Sequence, residues 1–152
     1  MRHRLWPLVT AAFIAVAFGG AMAAERGTPD EAKVLVQKGA AHVAAVGFEK
    51  ACADFDNPAG AFQDKDLFIF AYSAEGKVVC GANVPALIGR DVTKFKDVDG
   101  KEFGKEIIAA GTSGGGWVEY RMTHPVTKKI EAKRTYAVKA GDYILGCGAY
   151  VQ

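Results

Sequence analysis

The chain runs to 152 residues, half of them hydrophobic, with 19 basic side chains against 17 acidic ones. That length suits a single domain with a single core. A nearly neutral balance without a basic cluster leaves no electrostatic footprint for nucleic acid, and neither a repeat nor a low-complexity linker divides the chain.

Arg2, His3 and Arg4 form a basic start, Leu5 to Phe18 an apolar run, and Ala21-Met22-Ala23 a small-x-small cleavage site. The pattern is that of a secretory signal peptide over residues 1–23, and its apolar run is short for a bilayer span. The first cysteine is Cys52, so no lipid anchor is expected at the cut. Cleavage leaves one domain, residues 24–152, periplasmic or secreted, with equal numbers of basic and acidic residues.

Thr28-Pro29-Asp30-Glu31 supplies an N-cap, a proline at the first helical position and a glutamate three residues after the cap, which is a capping box. Leu35, Val36, Ala40, Val43, Gly47, Ala51 and Phe55 then recur at helical spacing, predicting one long helix from about Pro29 to Phe55. His42 sits beside that stripe without neighbours that could complete a metal site. Asn57-Pro58-Ala59-Gly60 stops the helix.

Leu67 to Tyr72 is the most strand-like run, with Leu67, Ile69 and Ala71 on one face and Phe68, Phe70 and Tyr72 on the other. Both faces are apolar, so this strand is expected to be covered on both sides. Glu75-Gly76 makes a tight turn and Lys77 to Gly81 returns as its partner. Ala82 to Ser113 is rich in loops, with one helix capped by Asp99, striped by Phe103, Ile107 and Ala110, and ended by Gly111. Asp97 and Asp99 begin like a calcium loop, but the remaining ligand positions are missing.

From Gly114 to Tyr150, three runs rich in β-branched and aromatic residues are separated by His124-Pro125 and Ala140-Gly141, which signals an antiparallel meander. Lys133 lies inside the middle run, on the face opposite Arg134 and Tyr136. A lysine so placed either snorkels to water or is held inward for an anion. Val118, Tyr120 and Met122 share a face, as do Phe68, Phe70 and Tyr72. If these faces meet that of Lys133, the result is an aromatic cup with one ammonium, in which Tyr72 and Tyr120 could join Lys133 in holding a carboxylate. Arg121 is the other candidate cation, but it alternates away from Tyr120. Cys147 shares a face with Leu145 and Ala149 and reads as a packed thiol. Cys52 and Cys80 could form a disulfide, a pairing that spacing leaves open.

One helix, two strands, a helical crossover and three strands predict an α+β domain with a five-stranded antiparallel sheet, a PAS-like architecture. Several stretches carry a family likeness: Phe55-Asp56-Asn57-Pro58 with Gly60 and Phe62, Asp66 to Tyr72, Gly81-Ala82-Asn83 with Leu87-Ile88-Gly89, and Asp97 to Gly100. So do Gly116-Trp117-Val118-Glu119-Tyr120, His124-Pro125, Lys133 with Tyr136, and Gly146-Cys147-Gly148-Ala149-Tyr150. In order and spacing the mature chain resembles a single Cache domain, the extracytoplasmic sensor module of bacterial chemoreceptors and sensor kinases.

The resemblance implies a pocket for small molecules, often short carboxylates, on the loop-covered side of the sheet. Together with the strand faces above, it leads to an expected ligand site at Phe70, Tyr72, Trp117, Tyr120, Met122 and Lys133, without a metal or cofactor. Tyr120 and Lys133 match a tyrosine and a lysine on adjacent strands of the family. Met122 stands where members often carry tryptophan, and Cys80 where many carry histidine. By analogy, a membrane receptor or sensor kinase is the implied partner, and a homodimer through the N-terminal helix is possible. In membrane-bound relatives the last strand leads into a transmembrane helix, whereas this sequence stops two residues beyond Tyr150. A free-standing exported sensor is therefore expected, not an enzyme: no serine sits in a nucleophile elbow, and Gly114-Gly115-Gly116 precedes a strand. The alternatives are a protein-interaction module and a thiol-based redox-responsive protein.

Overall fold

A computed structural model describes residues 25–151, so the expected signal peptide lies outside the described residues. Helix α1 spans Pro29–Val46 and opens with the expected capping box. The Thr28 hydroxyl accepts from the Glu31 amide at 3.2 Å, and the Glu31 carboxylate accepts from the Thr28 amide at 2.8 Å. The expected single helix is in fact two. Gly47 adopts φ 83 and ψ 160, ending α1 and starting α2, Phe48–Phe55. Helical spacing continues across the break, which hid it, but only glycine adopts that backbone conformation cheaply.

The run Leu67 to Tyr72 also divides. A small hairpin pairs β1, Gln63–Asp64, with β2, Leu67–Phe68. Beyond Ile69, β3 (Phe70–Tyr72) enters the main sheet with β4 (Val78–Cys80). Helix α3 covers Phe103–Thr112, and the meander follows as β5 (Gly116–Thr123), β6 (Ile130–Ala140) and β7 (Tyr143–Val151). The main sheet has the order β4-β3-β7-β6-β5, with every pair antiparallel.

Two cores flank this sheet. Behind it, α1 and α2 pack Val36 and Phe55 on Ile69, Leu145 and Cys147. In front, Val92 and α3's Phe103 and Ile107 pack on Phe70, Tyr72, Val118, Tyr120 and Ile144. Strand alternation therefore sorts the side chains as the apolar faces imply. Two details of α3 differ from expectation. Its N-cap is Glu102, not Asp99, which instead pairs with Arg121 at 3.1 Å. Gly111 lies inside the helix, where a Cβ would come within 2.6 Å of Ile144, so it serves close packing and not termination. Cys147 is buried and free, and Cys52 and Cys80 are joined as a disulfide.

The segment between β4 and α3 also guards the sheet's edges. Next to β4, the Val78 amide donates to the Arg90 carbonyl at 3.0 Å and the Gly89 amide to the Val78 carbonyl at 2.7 Å. Next to β5, the Asp97 carboxylate accepts from the Arg121 amide at 2.9 Å, and the Val98 amide donates to the Arg121 carbonyl at 3.3 Å. Backbone groups that would otherwise offer pairing sites to another strand are thus occupied.

Candidate ligand site

Front-facing residues of five strands leave a space beneath this cover. The cavity measures about 90 Å³. Phe68, Phe70, Tyr72 and Val78 wall one side, and Tyr120, Met122 and Lys133 the other. Val84, Leu87, Phe95 and Phe103 make the roof. Phe103 stacks on Tyr120 with centroids 4.3 Å apart, and Phe70 lies 4.9 Å from Tyr72.

Its floor is β7, and two glycines make room there. A Cβ on Gly146 would come within 2.4 Å of the Phe70 ring, and one on Gly148 within 2.7 Å of the Lys133 stem. Lys133 therefore lies flat across β7, its ammonium 4.8 Å from the Tyr150 ring and 5.7 Å from that of Phe68. These ring faces stabilise a cation without neutralising it.

Lys133 is the electrostatic peculiarity of the site. Burial pulls its pKa below the ordinary lysine value, while the negative charge of Asp66 works the other way. Among the described residues its ammonium has no salt bridge, and the Tyr72 hydroxyl has no hydrogen-bond partner. Yet no polar side-chain atom among these residues is sealed away unpaired, so both groups retain access through the cavity they line. Desolvation raises Tyr72 and Tyr120 above the usual phenol range, so both stay protonated donors. The Tyr120 hydroxyl lies 2.8 Å from that of Thr135. Cys147, behind the sheet, is pushed up to about 12 by burial, which keeps it an unreactive thiol.

Five of the six residues expected in the site, Phe70, Tyr72, Tyr120, Met122 and Lys133, line this cavity together. Trp117 does not. It alternates to the helix side of β5, edge-on to Tyr136 at 5.0 Å and beneath Arg134. Its parity along the strand, opposite to Val118 and Tyr120, carried that information. Val84, Leu87 and Phe95 belong to the roof and were missed, since irregular chain has no period to reveal its inward face. A wider groove of about 560 Å³ between α1 and the β1–β2 hairpin is open, and two of its charged side chains are engaged. Glu31 there binds Lys65 and Thr28, and Lys38 donates to the Ala61 carbonyl.

An antiparallel sheet backed by an N-terminal helix and roofed by a loop and helix defines the PAS-like class of sensor domains. The chain belongs to the family described as single Cache domain 2, whose model matches residues 28–152. Among solved structures it is similar to a methyl-accepting chemotaxis protein from Vibrio parahaemolyticus. That match has a TM-score of 0.68 at 23% identity, covering 81% of this chain and 88% of that one. A periplasmic sensor domain of a chemotaxis protein matches with a TM-score of 0.62 at 20% identity over 81% and 90% of the two chains. A Cache chemosensory domain described for carboxylic acid recognition matches with 0.61 at 23% identity over 81% and 88%. At such identities the likeness is one of fold. No curated protein matches the chain.

Proposed function

We propose that this chain is an exported sensor domain that binds a short monocarboxylate beneath its roof and passes the signal to a separate membrane receptor or sensor kinase. The observation that carries this reading is the Lys133 ammonium, half-buried, without a salt bridge among the described residues, and lining a small aromatic cavity. An uncompensated buried cation is costly, and an anionic guest removes that cost. The Tyr72 hydroxyl supplies a second donor, so a carboxylate gains charge-assisted hydrogen bonds from both.

Size and polarity narrow the guest. The cavity, about 90 Å³, falls far below the roughly 300–1,000 Å³ of a drug-sized site, which suits a ligand of a few heavy atoms. One cation and a phenol donor among mainly apolar walls favour a single carboxylate with a short hydrocarbon end. The chemosensory domain named for carboxylic acid recognition agrees with this choice of class. The basic, apolar and small-residue pattern of residues 1–23 supports export, and no described helix is long and apolar enough to cross a membrane.

Thermal unfolding against acetate, propionate, pyruvate and methylamine tests the reading. A ligand at a hundred times its Kd adds about 2.7 kcal/mol of stability, which corresponds to a rise of roughly 10 °C in a domain of this size. The expected result is stabilisation by acids of acetate to pyruvate size, none by methylamine, and loss of the acid response in Lys133→Ala. No stabilisation by any of these acids would refute it.

A further inference from the structure

Cys52 lies partly exposed on α2, and Cys80 is fully buried at the end of β4. Their bond joins the helical layer behind the sheet to an edge strand of three residues. That strand carries the near part of the roof at both ends. The chain leaves β4 at Gly81, passes the cavity-lining Val84 and Leu87, and returns to hydrogen-bond Val78 through Gly89 and Arg90. Val78 itself faces the cavity while Cys80 faces the helices. Hence one covalent tether holds in place the strand that forms part of the wall and anchors the flap above it.

We propose that Cys52–Cys80 is a thiol–disulfide exchange site, and that its opening by a dithiol reductant releases β4 and the Gly81–Arg90 flap and so weakens the cavity's hold on its anion. The effect on affinity rests on the carboxylate reading; the effect on the flap does not. In the reaction, a thiolate of the reductant attacks the Cys52 sulfur, the more exposed of the two. The Cys52–Cys80 bond breaks, and Cys80 departs as a thiolate and takes a proton from water. The reductant's second thiol then displaces Cys52 as a thiol, so the dithiol becomes a disulfide and the protein gains two electrons and two protons. Asp56 controls the rate. Its carboxylate lies 3.9 Å from the Cys52 sulfur and 3.7 Å from that of Cys80, where it repels an incoming thiolate and disfavours the departing one. Looser anchoring makes the roof less preorganised, and a ligand must then order it on binding.

The test compares oxidised protein, dithiothreitol-reduced protein and the Cys52→Ser/Cys80→Ser variant. Amide hydrogen exchange is measured across the whole domain without ligand, and acetate is titrated into each form. Expected are faster exchange confined to β4 and the flap, acetate affinity lower by roughly tenfold, and faster reduction in Asp56→Asn. Equal flap protection in oxidised and reduced protein, or equal acetate affinity, would overturn the proposal. So would global unfolding on reduction, which would make the bond a general structural staple. If acetate binds no form, the ligand reading fails, and flap exchange alone decides the thiol switch.

Discussion

Lys133 faces the cavity from β6 because Gly148, on the next strand, offers no side chain to push it away. The same burial that prepares it for an anion destabilises the empty protein. Lys133→Met is therefore expected to raise the unfolding temperature of the ligand-free domain, by about 1–4 kcal/mol in stability terms, while abolishing carboxylate binding. Calorimetry with and without acetate checks both halves. A pH dependence follows as well. The folded empty protein holds the Lys133 proton less tightly than the unfolded chain, so this group's contribution to stability improves as pH rises toward the ordinary lysine value of about 10.4. A bound carboxylate favours the charged form and raises the pKa again. Acetate affinity is thus expected to fall as pH climbs past the empty site's pKa, with proton uptake on binding in that window, measurable by titration calorimetry in buffers of different ionisation enthalpy. At this scale, period-two alternation grouped Tyr120 with Met122 and Phe70 with Tyr72 and excludes Trp117, but it left open whether those faces meet that of Lys133. That the Tyr120 hydroxyl meets Thr135 could not be read from sequence, since it depends on the register between β5 and β6.

Elements were legible where they are regular. The N-terminal capping box is visible in the sequence as Thr28 and Glu31, and it makes the start of α1 sensitive to acid. The Lys65 ammonium and the Thr28 amide hold the Glu31 pKa down to about 2. Because that value is lowered, its contribution is complete above the ordinary glutamate range and is lost as pH falls through about 2. Glu31→Gln is expected to lower the unfolding temperature at neutral pH, with the two proteins converging toward pH 2; parallel thermal melts across pH test this. The break at Gly47 was hidden because helical spacing survives it, and its only mark was glycine itself. Between Ala82 and Glu102 the sequence offered no period at all, so Asp99 read as a cap when its carboxylate pairs with Arg121. Asp97, by contrast, spends its two oxygens on the backbone amides of Asp99, Lys101 and Arg121, a role that only tertiary structure reveals.

For the molecule as a whole, the alternation of helix, hairpin, crossover and meander was enough to predict the sheet and its two covered faces. Burial explains why: strands apolar on both sides leave few other architectures. Cavity and roof were less accessible to sequence, because they depend on where an aperiodic segment comes to rest. That segment meets β4 through Gly89 and Arg90 and β5 through Asp97 and Val98, so it crosses the front of the sheet from one margin to the other like a belt buckled at both hips. A belt does not swing open as a door does. On the carboxylate reading, a span fastened at both margins keeps its place over the guest instead of swinging clear of it.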